Sequence, residues 1–138
     1  MKKRQKLLIT NGKRKRAIAR AVFKKGDGII KINKILLDNI KPYLLQLKLK
    51  EPLLLKPNII SKYDVIITIK GGGITGQTDA ARQALCRGIV QLNKTDKIKQ
   101  IFNNYNKNFL VTDSRRNETS KPSASRRGAR RKIQLSKR

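Results

Sequence analysis

The chain has no histidine and no tryptophan, one cysteine, and only 8 acidic residues in 138. Each shortage closes a class of function. Without histidine there are no Ser–His or Cys–His nucleophilic pairs and no His-bearing zinc sites. Cys86 alone makes neither an internal disulfide nor a Cys-cluster metal site, and it fits a reducing cytoplasm. The carboxylates are scattered singly, so no acid/base pair and no catalytic or metal site is expected. Aromatic residues are 4% of the chain, too few for recognition led by base stacking. Apolar residues are 38%, below the roughly 45–50% of ordinary globular chains, so the core is small. Long greasy runs are missing as well. Residues 52–55 fall far short of the ~20 residues of a membrane helix. The basic start is followed only by Leu7-Leu8-Ile9, short of the roughly 7–15 apolar residues of a secretory signal. Neither a leader nor a spanning segment is expected.

What the sequence has is positive charge. Thirty-five Lys and Arg give a formal net charge of +27. Such a chain repels itself, and its compact state calls for a polyanion. Nucleic acid is the first candidate and an anionic membrane surface the second. The charge is unevenly spread. Residues 1–25 carry eleven bases and no acid, and residues 113–138 carry ten bases and two acids. A merely soluble surface would intersperse both signs, whereas charge runs at termini read as interaction arms. The length suits one domain plus tails. The expected division is a globular body, 1–112, with a basic N-terminal segment, and an extended basic C-terminal tail, 113–138. The tail is rich in Ser and Arg and lacks an apolar period. By itself it cannot offset the entropy of ordering.

Along the body, residues 13–24 alternate as a strand. Ala17, Ala19, Ala21 and Phe23 take one face, and Ile18, Arg20 and Val22 the other. That register puts Arg14, Arg16 and Arg20 together. Gly26-Asp27-Gly28 is a turn signal, and residues 29–33 read as a strand returning in a hairpin. A short helix is expected at 42–49, and Pro52 and Pro57 punctuate the stretch after it. Residues 63–70 are a β-branched strand stopped by Gly71-Gly72-Gly73. Residues 78–92 read as a helix with Ala81, Leu85, Gly88 and Leu92 on one face. A second amphipathic helix is expected at 96–102 and a last strand at 109–112. There are no internal repeats. The pattern implies an α+β, two-layer sandwich: a mostly antiparallel sheet with helices on one face.

Gly71-Gly72-Gly73-Ile74-Thr75-Gly76-Gln77-Thr78 is the sharpest motif, and it imitates two enzyme patterns. Gly71-x-Gly73-x-x-Gly76 fits the dinucleotide fingerprint, but the next element is a helix and not a second strand ending in an acid. Gly71-x4-Gly76 also approaches a phosphate-binding P-loop, but Gln77 stands where the phosphate-reaching Lys belongs. The shared physics remains. Glycines permit close backbone approach, and N–H groups leading into a helix N-terminus favour an anion. In so basic a chain that anion is a nucleic-acid phosphate. Candidate phosphate contacts are therefore Lys13, Arg14, Lys15, Arg16 and Arg20; Gly71, Gly72, Gly73, Gly76 and Gln77; and Arg82, Arg115 and Arg116. In the tail they are Arg126, Arg127, Arg130, Arg131 and Lys132. Arginine suits planar, bidentate phosphate contacts. Cys86 reads as a small core residue. A DNA-compacting protein is the alternative in kind, although nothing marks an apolar wedge. A membrane-surface protein would need a basic amphipathic helix at one end, and neither end has one.

The segments Gly12-Lys-Arg-Lys-Arg-Ala-Ile-Ala-Arg-Ala-Val-Phe23, Gly26-Asp-Gly-Ile-Ile-Lys-Ile-Asn33 and Glu51-Pro-Leu-Leu-Leu55 stand in order along the chain. Gly71-Gly-Gly-Ile-Thr-Gly-Gln77, Ala80-Ala-Arg-Gln-Ala-Leu85, Asp113-Ser-Arg-Arg116 and Ser136-Lys137-Arg138 come after them. In that register the chain resembles the small-subunit ribosomal protein S-nine family. The body is similar to the archaeal and eukaryotic branch, and the Ser-Lys-Arg end to the bacterial one. The resemblance implies a fold like the second domain of ribosomal protein five. It implies a non-enzymatic ribosomal constituent in the cytoplasm, without cofactor, membrane or small-molecule substrate. Its implied partners are ribosomal RNA of the subunit head, neighbouring head proteins and peptidyl-site transfer RNA. Lys137 and Arg138 are then the residues expected at the transfer RNA.

If about 6–10 phosphates are neutralised, affinity for RNA should fall roughly 10³–10⁵-fold between about 50 and 200 mM salt. Filter binding across a salt series measures this, and a flat dependence would show that charge is not the grip.

Overall fold

The structure, a computed structural model, describes residues 7–55, 60–93 and 95–116. Among these, five strands form one sheet: β1 (Leu8–Arg14), β2 (Ala17–Lys25), β3 (Ile30–Ile32), β4 (Ile35–Leu36) and β5 (Tyr63–Lys70). Three helices accompany them: α1 (Tyr43–Leu55), α2 (Ile74–Asn93) and α3 (Asp96–Tyr105). The strand order is β1-β2-β5-β3-β4, and only the β3–β5 pair is parallel. Helix α2 lies under β1, β2 and β5, and α1 and α3 pack on α2. The chain is thus an α+β two-layer sandwich whose other sheet face is uncovered among the described residues.

The alternation in β2 holds: Ala17, Ala19, Ala21 and Phe23 are buried against α2, while Ile18 and Arg20 are exposed. Small residues here give close contact, not a weak strand. Ala80, Ala81 and Ala84 of α2 meet the same layer. A methyl built on Gly12 of β1 would lie 2.0 Å from the Ala80 carbonyl oxygen. One built on Gly88 would lie 2.0 Å from the Phe23 ring. The buried Thr10 hydroxyl donates to the Ala84 carbonyl at 2.7 Å, so this seam is polar-satisfied as well as tight.

Several sequence expectations change. Residues 13–24 are not one strand. Arg14 pairs with Ala17 across a two-residue turn, and Lys15 takes φ 52, a left-handed conformation that no Gly or Asn announces. Arg14, Arg16 and Arg20 therefore do not share a face: one ends β1, one sits in the turn, and one is on β2. Residues 29–33 do not form a hairpin with β2, because β5 lies between them. The Gly26–Gly28 segment instead wraps Asp64 of β5, whose carboxylate accepts from the Asp27 and Ile29 N–H groups at 3.0 Å each. The β3 strand turns back to β4 through Asn33 and Lys34, both at positive φ.

Helix α2 begins at Ile74, not at residue 78, so Gly76 and Gln77 lie in its first turn. Residues 109–112 do not form a strand. Lys107–Phe109 is a 3-10 turn that buries Phe109 edge-on to Phe102, with centroids 5.8 Å apart. Helix α1 runs past residue 49 to Leu55, carrying Pro52 inside it.

Gly12→Ala and Gly88→Ala should each destabilise the body by ~1–3 kcal/mol through overpacking. Gly12→Ala should cost more, because its obstacles are backbone atoms of α2 and not a movable ring. Thermal or urea denaturation of both variants checks the order.

Candidate nucleic-acid interface

Gly71 and Gly72 leave β5 at φ 73 and φ 74, conformations that favour glycine. A methyl on Gly71 would lie 2.8 Å from the Arg16 carbonyl oxygen, and one on Gly72 2.9 Å from the Ala17 nitrogen. The glycine loop therefore lies directly against the β1–β2 turn. Gly73 has open space around it, and the helix begins at Ile74. The Gln77 side chain donates back to the Gly71 carbonyl at 3.2 Å, and its N–H donates to the Gly73 carbonyl at 2.9 Å. The N–H groups of Ile74, Thr75 and Gly76 open the helix, where no carbonyl one turn earlier within it can take them. Two motifs 55 residues apart in sequence, Arg16 and Gly71, thus form one end of the molecule. Lys13, Lys15, Arg16 and Lys70 are exposed at that end, and none has an ion-pair partner among the described residues. Exposed cations, a glycine backbone and a helix N-terminus come together here, the chemistry that holds phosphate.

The other predicted arginines divide sharply. Arg14 donates to Asp113, and its Nε lies 3.7 Å from Asp79. Arg82 pairs with Glu51 of α1 at 2.6 Å and with Asp79 at 3.6 Å, and its guanidinium lies 5.0 Å from the Phe109 ring centroid. Both are committed to internal carboxylates. Arg115 also pairs with Asp113, at 2.8 Å, but its side chain is 77% exposed. That pair is worth little in water, and the guanidinium stays available. Arg116 is exposed, and Arg20 projects from the uncovered sheet face. Arg126, Arg127, Arg130, Arg131, Lys132, Lys137 and Arg138 lie outside the described residues.

Arg87 is a residue that charge counting overlooks. Its guanidinium donates to the Leu110 carbonyl at 2.8 and 3.0 Å, to the Thr112 hydroxyl at 2.9 Å, and to the Asn11 carbonyl at 2.8 Å. One turn earlier the Gln83 side-chain Oε1 accepts from the Lys13 backbone N–H at 2.9 Å. Together they satisfy outward groups of the edge strand β1 and tie residues 110–112 to it. The sequence signal was there: Asp79, Gln83 and Arg87 recur every four residues, a polar stripe down an otherwise buried helix.

Among the described residues no group of three His, Cys, Asp or Glu could hold a metal, and no helix is long and apolar enough to cross a membrane. Cys86 is fully buried, and burial pushes its thiol far above the ordinary range, so it is a core residue and not a nucleophile.

The family described as ribosomal protein S9/S16 matches residues 12–138. The chain belongs to that family. The small ribosomal subunit protein uS9 of Methanococcus maripaludis is 45% identical over 131 residues, covering 95% of this chain and 98% of its own length. That of Thermoplasma volcanium is 43% identical over 129 residues, covering 94% and 96%. That of Methanothrix thermoacetophila is 41% identical over 116 residues, covering 84% and 88%. These archaeal relatives agree with the archaeal look of the body. The family is structural, not enzymatic, which disposes of both glycine-loop imitations.

The two groups of arginines should separate experimentally. Arg82→Ala removes the ion-pair partner of Glu51 and one of the two at Asp79, and should lower stability by about 1.5–3 kcal/mol. Lys15→Ala with Arg16→Ala should leave the melting temperature in place and reduce the slope of log affinity for RNA against log salt by about 2.

Proposed function

We propose that this chain, a structural constituent of the small ribosomal subunit, grips ribosomal RNA of the subunit head with its hairpin–glycine-loop end and extends residues 113–138 as an arm to peptidyl-site transfer RNA. The observation that carries the first half is the apposition of Arg16 and Gly71, which makes one phosphate-binding end out of two separate motifs. Phosphate contacts position a protein on RNA without reading its sequence, and a constituent of fixed place needs positioning. Lys13, Lys15, Arg16, Arg20, Gly71, Gly72, Gly73, Gly76, Gln77, Arg115 and Arg116 make that contact in this reading. Arg14 and Arg82 support it from inside through Asp79, Asp113 and Glu51.

The division between body and arm falls at Asp113. Arg14 and Arg87 hold the chain to the body up to that point. Beyond it lie ten bases against one further acid. Extended at ~3.3 Å per residue, such an arm spans roughly 85 Å. Arg126, Arg127, Arg130, Arg131 and Lys132 hold ribosomal RNA on the way, and Lys137 and Arg138 reach the transfer RNA phosphates. The work is done in the cytoplasmic ribosome, beside neighbouring head proteins and without cofactor or small-molecule substrate.

Deleting Lys137 and Arg138 should leave subunit assembly intact and weaken peptidyl-site transfer RNA binding by about 1–3 kcal/mol, the worth of one or two charge-assisted bonds. Filter binding of transfer RNA to subunits carrying the truncated chain measures it. Equal affinity would remove the arm from the decoding region.

A further inference from the structure

The described helices cover one face of the sheet and leave the other bare. On the bare face, strand register places Ile9 opposite Val22, Val22 opposite Ile66, and Ile66 opposite Lys31. Three aliphatic side chains thus form one row across three adjacent strands. Ile9 is 53% and Ile66 41% exposed. Around the row stand Arg20, Lys24 and Lys31. Among the described residues no carboxylate is within ion-pair distance of these three cations. Asp64 stands opposite Lys24 in the register, but its Oδ1 is drawn to the Asp27 and Ile29 N–H groups, and the carboxylate lies beyond ion-pair distance of Lys24.

We infer that this face docks a neighbouring protein of the small subunit, one that presents aliphatic side chains ringed by Asp and Glu. An apolar centre inside a charged rim is the anatomy of a protein–protein interface. The unpaired cations specify the rim of the partner by complementarity. A second copy of this chain is excluded by the same rule, since it would set cation against cation. RNA fits the centre poorly. A phosphate backbone would leave Ile9, Val22 and Ile66 wet, and the row carries no aromatic ring for a base to stack on. The RNA-gripping end centres on the Lys15–Arg16 turn and the glycine loop and shares only Arg20 with this face, so among the described residues the apolar row stays open beside it. This inference rests on the chain being a small-subunit constituent but not on how it holds RNA.

The test uses the full chain assembled into small subunits. A photoreactive benzophenone side chain installed at Ile66 should crosslink to a protein, at a peptide containing acidic residues. Adducts to RNA only, or no adduct, would overturn the inference. Ile66→Lys supplies an independent reading. It adds a cation at an already exposed site, which favours RNA and opposes an apolar protein contact. Quantitative mass spectrometry of the subunits should show this chain retained and one neighbouring protein reduced about tenfold, as burial of an unpaired charge in an interface requires. Unchanged neighbours, or loss of this chain alone, would overturn the inference. The retained level of this chain reports its RNA grip separately, so failure of the one reading is distinguishable from failure of the other.

Discussion

Carboxylate is the scarce component of this molecule, and where it is used sets the layout of everything else. Eight acids face 35 bases. Three of the eight, Glu51, Asp79 and Asp113, surround just two arginines, Arg14 and Arg82. Glu51 belongs to α1, Asp79 to α2, Asp113 to the segment after α3, and Arg14 to the end of β1. A single network therefore joins four elements of the body at its surface, beside the apolar core that they share. Partly buried charges of this kind are costly unless paired, so each partner holds the others in place. The acids spent here are not available to the hairpin and the glycine loop. The same arrangement that stabilises the body leaves the cations of the hairpin and glycine-loop end without internal counter-charge among the described residues.

Packing complements that division. Gly12 and the alanines let α2 lie unusually close beneath β1 and β2, and the ring of Phe23 fills the space at Gly88. Close approach brings the start of α2 to the β1–β2 turn, so that loop, turn and helix terminus form one surface. It also brings Gln83 and Arg87 within reach of the β1 edge. Their bonds to Lys13 and Asn11 occupy edge groups that would otherwise be open to another strand. The bare face of the sheet, not its β1 edge, is left for association.

Much of this layout was legible in the residues, and the misreadings have physical causes. Strand β5 coincides with its β-branched run, residues 63–70, and the Ala–Phe alternation of β2 names its buried face. Those patterns are local. The pairing partners of β2 were not, because β5, some 40 residues on, displaces the expected hairpin with β3. The β1–β2 turn was hidden because Lys15 adopts a left-handed conformation without a turn residue to mark it. Residues 109–112 look like a strand by composition, but Phe109 serves the Phe102 cluster and the Arg82 guanidinium instead. At the candidate site, the residues named the cations and the glycine motif, and the fold sets turn and loop side by side. Composition could not say which arginines are spent internally, since that depends on where Asp79, Asp113 and Glu51 converge in space.

The central claim is that RNA is held by the unpaired cations and glycine backbone at one end, while the paired arginines serve the body. Amide hydrogen exchange of the full chain, free and bound to head-region ribosomal RNA, tests it most directly. The account predicts slowed exchange on binding at residues 13–17 and 71–76, with little change in α3. Protection confined to α3 or α1, with the turn and glycine loop unaffected, would contradict it.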